Sequence, residues 1–155
     1  MFVYHNSNPK GLETSDCVIR AISYALDIDY YEVINMLIEN SNYFNCDALV
    51  KSCYGTLLSL DFGLEQYWGM GKTVEEVAND FSDSKVIMRI KGHLTCSKYG
   101  VVYDIWDTSD EIVDTFWVIR EKRYWKIILN VLRYKGLVKV FYPNFVFHHV
   151  VWTRY

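Results

Sequence analysis

The sequence predicts an α+β fold in which N-terminal helices pack on a mainly antiparallel sheet. Helical spacing of apolar residues prevails up to about residue 81, and strand-like runs of β-branched and aromatic residues take over from Lys85. A content of 51% apolar and 17% aromatic residues in a chain of 155 is enough for one buried core, so a single domain over 1–155 is expected.

Residues 1–13 hold Asn6, Ser7, Asn8, Pro9 and Gly11 and read as a loop. Thr14 or Ser15 is a candidate cap for the helix that follows, Asp16 suits its positive end, and Val18, Ile19, Ala21, Ile22, Ala25 and Leu26 supply its apolar stripe. Cys17 thereby falls in the first turn. Asp29 and Glu32 have capping-box-like spacing ahead of a second helix, which Asn40 to Asn45 should end. A third helix is expected from about Asp47 to Leu60, closed by Gly63, and a fourth from Thr73, boxed by Glu76, to about Phe81. Gly69 and Gly71 mark a loop; they lack the spacing of a phosphate cradle. Strands are expected over 86–90, 93–97, 101–106 and 112–119. Residues 121–155 read as a helix near Trp125 to Leu132 followed by two strands joined at Pro143 and Asn144.

The longest apolar stretches are a handful of residues, and no basic segment with an apolar run opens the chain, so neither a membrane span nor secretion is expected. The four cysteines, Cys17, Cys46, Cys53 and Cys96, are therefore read as reduced thiols of a cytoplasmic protein. Charge is unevenly spread. From Arg120 onward eight basic residues face Glu121 alone, whereas the preceding part is acidic. Basic and aromatic residues interleaved over 121–155 suit either nucleic acid or packing on the acidic body. The alternation at Val138, Val140 and Tyr142 and at Phe145, Phe147 and His149 favours an extension packed on the domain, and nucleic acid is not the expected partner.

A thiol at a helix start is placed where unpaired N–H groups and the helix dipole favour thiolate, although Asp16 beside it opposes that charge. A nucleophilic thiol needs a base. His93 follows Gly92 at the start of a strand, whereas His5 lies in a loop and His148 and His149 are adjacent in a strand and point apart. Reading Lys98, Tyr99 and Gly100 as a three-residue hairpin loop opposes His93 to Ile105 and puts Asp107 on the imidazole's face. A two-residue loop would place Asp104 there instead. Asn8, and after it Asn6, is the nearest side-chain amide for an oxyanion, unless both serve only the turn. His93 and Cys96 have the spacing of half a zinc site, but the only pair that follows is His148 and His149, which are adjacent, and no metal or cofactor is expected.

Asn8, the run from Ser15 to Ala21 around Cys17, Glu32 with Val33, Thr73 with Val74 and Ala78, and His93, Leu94 and Thr95 followed by Tyr103 to Asp107 together resemble small phage and prophage proteins of papain-like cysteine peptidase type. The resemblance spans roughly residues 4–120, and Ser15 stands where the family pattern has glycine. It implies a papain-like fold similar to the bacteriocin-leader peptidase branch, with Cys17 as nucleophile, His93 as base and Asp107 as orienter. The function so implied is amide-bond hydrolysis on a peptide or protein substrate, in the bacterial host cytoplasm or in the virion. The competing expectation is a non-catalytic phage protein on the same scaffold, a virion or assembly component or a host-defence inhibitor bound to a phage or host protein.

Overall fold

The computed structural model describes residues 1–120 and 131–132. Its elements run β1 (Phe2–Tyr4), α1 (Cys17–Leu26), α2 (Tyr30–Phe44), α3 (Lys51–Thr56), a π-helical turn (Leu57–Asp61), β2 (Glu65–Trp68), α4 (Val74–Asp80), β3 (Lys85–Ile90), β4 (His93–Lys98), β5 (Val101–Asp104) and β6 (Thr115–Ile119). The architecture is α+β, with a six-stranded sheet in the order β1-β5-β4-β3-β6-β2. All neighbours are antiparallel except β1, which joins β5 in parallel.

The alternation of strand side chains divides the core in two. Ile87, Leu94, Cys96, Trp117 and Ile119 meet the apolar stripes of α1, α2 and α3 on one face. Val86, Met88, Ile90, Val102 and Val118 meet Val74, Val77 and Ala78 of α4 on the other. Leu94 and Cys96 thus lie under α1, and its first turn comes to rest over the start of β4. Val131 packs against the α1 side. The segment 121–155, read from sequence as a packed extension, otherwise lies outside the described residues.

Several boundaries differ from the sequence reading, each for a local reason. Part of the expected N-terminal loop is β1, whose backbone hydrogen bonds come from β5, a partner far along the chain. The second helix does end within the expected stretch from Asn40 to Asn45, and Asn40 itself stays helical because its side chain is buried and donates to the Cys53 carbonyl (2.8 Å) and the Thr56 hydroxyl (3.1 Å). Asn45, left-handed at φ 51°, then ends it. The third helix is shorter than expected, beginning at Lys51 and passing into the π turn before Gly63 at φ 64°. β2 is not among the expected strands; its one exposed face makes its apolar signal weak, and its pairing with β6 secures it. Thr73 and Glu76 do form a reciprocal capping box at α4. Gly69 is required by close approach, since a Cβ there would sit 1.8 Å from the Val113 carbonyl oxygen.

The reading of four reduced thiols is corrected at two positions. Cys46 and Cys53 form a disulfide, their Cα atoms 5.7 Å apart across the turn that follows α2, while Cys17 and Cys96 are free. Sequence spacing alone does not reveal that this turn folds the two side chains together. Among the described residues no helix is long and apolar enough to cross a membrane.

Candidate active site

Helix α1 starts at Cys17, with Asp16 as its N-cap residue, not Thr14 or Ser15. The Asp16 carboxylate does not cap the helix; it is buried and accepts from the Tyr30 hydroxyl (2.6 Å), the Asn8 amide (2.8 Å) and the Arg20 guanidinium. Burial pushes this carboxyl upward, but the hydrogen bonds from Tyr30 and Asn8 and the charge of Arg20 together hold it below its ordinary range. The negative charge expected to oppose thiolate formation is therefore matched by a cation one turn along the same helix. Arg20 and Tyr30 went unassigned in the sequence, although the i, i+4 spacing of Asp16 and Arg20 was a visible signal.

This network corrects the assignment of Asn8 as an oxyanion donor. Its amide nitrogen donates to Asp16 (2.8 Å) and Tyr30 (3.3 Å), and its amide oxygen accepts from the Lys10 backbone (2.9 Å). Asn6 is likewise committed to the loop, donating to the Leu12 carbonyl at 3.1 Å. Asn8 positions the helix start, and its amide is not directed at a substrate. Asn8→Ala should accordingly cost about 1–3 kcal/mol in urea unfolding, through the buried partners it strands, while the alkylation rate of Cys17 changes less than about threefold.

The second half of the site is a consequence of strand register. A tight turn through Lys91 and Gly92 (φ 70°) delivers His93 to the first position of β4. The next hairpin pairs Lys98 with Val101, Ser97 with Val102 and Cys96 with Tyr103, so its loop has two residues, Tyr99 at φ 53° and Gly100 at φ 82°. Both being left-handed is the condition of a type I′ turn. The three-residue loop expected from sequence is thus replaced by its alternative, because Tyr99 adopts a conformation that a non-glycine residue seldom takes. One residue of shift reverses every side chain, and Asp104 takes the place proposed for Asp107.

Asp104 is buried, and its Oδ2 lies 2.7 Å from His93 Nε2 while Oδ1 accepts from the Ile105 N–H at 2.8 Å. Asp107 is instead exposed in the loop after β5, where it accepts from the Ser109 N–H at 3.0 Å. The Trp106 ring stands 5.4 Å from the imidazole and screens one side of it. Cys96 faces the α1 side of the sheet, buried, and burial pushes its thiol up to about 12. Among the described residues no group of three or more His, Cys, Asp or Glu side chains is placed to hold a metal ion.

Cys17 and His93 meet over the start of β4. Partial burial pushes the Cys17 thiol upward, yet hydrogen bonds from the His93 ring and the Leu94 backbone N–H, with the charges of His93 and Arg20, bring it below its ordinary value of 9.0. Burial acts on His93 in the opposite sense to its neighbours. It favours the neutral ring, but Asp104 and Cys17 favour the cation, and the imidazole is raised to about 9. Both shifts favour the thiolate–imidazolium form of the pair. With Asp104 on Nε2, the remaining nitrogen, Nδ1, is the one left for the sulfur, so the carboxylate selects the tautomer and orientation of the ring.

Comparison of the chain with family models, with curated proteins and with solved structures finds no match.

Proposed function

We propose that the protein is a papain-like cysteine hydrolase, phage-encoded, that cleaves an amide bond in a peptide or protein. The observation that carries this reading is the bond of 2.7 Å between His93 Nε2 and Asp104 Oδ2, which turns the imidazole toward a thiol at a helix start. The sequence resemblance around Cys17 and His93 supports the same scaffold, now with Asp104 in the orienting role.

In this mechanism the Cys17 thiolate attacks the substrate carbonyl carbon, and the oxyanion faces the N-terminal turn of α1, where backbone N–H groups lack intrahelical acceptors. The C–N bond then breaks as His93 passes its proton to the departing amine, leaving a thioester on Cys17. Water adds to the thioester while His93 takes its proton. Collapse of the second tetrahedral intermediate releases the acid and restores the thiolate. Asp104 holds the imidazole in place and stabilises the imidazolium each time it forms.

The pH dependence of alkylation and turnover tests this. Thiolate is present above the lowered value of Cys17, and imidazolium is present below about 9, so the competent pair exists between these limits. Iodoacetamide should therefore modify Cys17 below the ordinary thiol range and ahead of Cys96, and kcat/KM should fall as pH rises through about 9. A Cys17 that titrates and reacts as an ordinary thiol would exclude the hydrolase and leave the non-catalytic scaffold.

A further inference from the structure

The side of the nucleophile remote from Asp104 carries charge that the triad does not use. Sheet order places β5 and β3 on opposite flanks of β4, so Asp104 lies on one side of the Cys17 sulfur and β3 on the other. Leu94, whose backbone lies near that sulfur, is paired directly with Arg89 on β3. Opposed residues in an antiparallel ladder have Cα atoms about 4.5–5.5 Å apart, so Arg89 rises one strand spacing from Leu94, on the side away from Asp104. It shares a sheet face with Leu94 and Ile87, the face that carries α1 and α3.

Lys51 and Tyr54 of α3 lie on the β6 side of Arg89, where Lys51 reaches Thr115, the residue opposite Arg89. Tyr54, buried on α3, lies near enough to both Arg89 and Cys17 to feel their charges. Arg89 and Lys51 then share one carboxylate, Asp114, with Lys51 Nζ at 3.5 Å from it and 2.5 Å from the Thr115 hydroxyl. Two cations on one anion leave a net positive charge at this position. All three side chains remain open to solvent, at 33% for Arg89, 29% for Lys51 and 42% for Asp114, so an incoming anion can reach them.

We propose that Arg89 and Lys51 form a subsite that binds a substrate carboxylate beside the scissile bond. The assignment rests on the hydrolase reading and narrows it: the substrate is a peptide with an acidic side chain, or a chain terminus, held on the β3 side of Cys17. A guanidinium presents two parallel donors to a carboxylate, and Asp114 holds that fork in place when no substrate is bound.

The test compares two reagents of nearly equal size, anionic iodoacetate and neutral iodoacetamide, both alkylating the Cys17 sulfur with loss of iodide. Their rate ratio cancels the thiolate fraction and any change common to both. Arg89→Gln should lower the iodoacetate-to-iodoacetamide ratio at Cys17 by about five- to tenfold, and Lys51→Met by a smaller factor. Asp114→Asn should raise it, a direction that a damaged fold would not produce. If Arg89→Gln does not fold, the other two variants, at partly exposed positions, carry the test. Quenched peptides with Glu, Gln or Lys near the cleavage point, each with a free and an amidated C-terminus, separate an acidic side chain from a chain terminus as the bound group. A ratio unchanged in all three variants, with Cys17 still highly reactive, would overturn the subsite and leave the hydrolase standing. A Cys17 no faster than Cys96 with either reagent would remove the hydrolase and the subsite together.

Discussion

Cys17→Ala is expected to abolish amide hydrolysis, by about 10⁴-fold or more, while urea unfolding shifts by less than about 1 kcal/mol. The asymmetry follows from where the sulfur sits. It is half-buried at the first turn of α1, where it contributes modestly to packing, while the apolar stripe of Val18, Ile22 and Leu26 anchors the helix. Its chemical part is not replaceable, because the covalent intermediate forms on it and neither histidine nor the helix start can substitute for a nucleophile. Release of aminocoumarin from a pooled peptide library, read beside the unfolding midpoint, measures both quantities on one preparation. Turnover that survives the substitution would place any catalysis elsewhere in the chain.

Asp104→Asn should lower kcat/KM by about 10²- to 10⁴-fold, whereas Asp107→Asn should alter it by less than about twofold. An amide at residue 104 neither stabilises an imidazolium nor selects the tautomer that faces the sulfur, and the support that raises His93 to about 9 is lost. The upper limb of the pH profile should therefore move to lower pH in Asp104→Asn. A merely structural role for the carboxylate would lower the amplitude and leave that limb in place. Asp107 is exposed and bonded to the Ser109 N–H, so its loss is a matter of loop geometry only. If the two aspartates ranked the other way, the hairpin would have the longer loop in solution and the catalytic face would be reversed.

The α+β class, the four helices among the described residues and the central strands are recoverable from the sequence because each is a local pattern. An apolar stripe at helical spacing from Val18 to Leu26, a capping box at Thr73 and Glu76, and β-branched runs after Lys85 state their structure within a few residues. The placement of Cys17 at a helix start belongs with these, as does His93 at a strand start. What sequence could not choose was anything that depends on a partner remote along the chain. β1 and β2 exist through their pairing with β5 and β6, and their own apolar signal is too short or too one-sided to declare them.

The choice of orienting carboxylate shows how much one such decision controls. Asp104 and Asp107 are both within reach of a hairpin histidine, and the difference between them is whether Tyr99 takes a left-handed conformation. Local preference argues against that conformation; its acceptance comes with a ladder that pairs Lys98 with Val101 and lays β4 and β5 against β3 and β1. Asn8 was drawn into the Asp16, Arg20 and Tyr30 network for a similar reason, because a buried carboxylate takes whatever donors the folded chain brings to it. Sequence by itself therefore determined which residue types begin the elements of the site, since helix starts and strand starts are written in nearest neighbours. Tertiary structure alone decided which carboxylate faces the imidazole, because that contact depends on register, and a register is a property of two strands together.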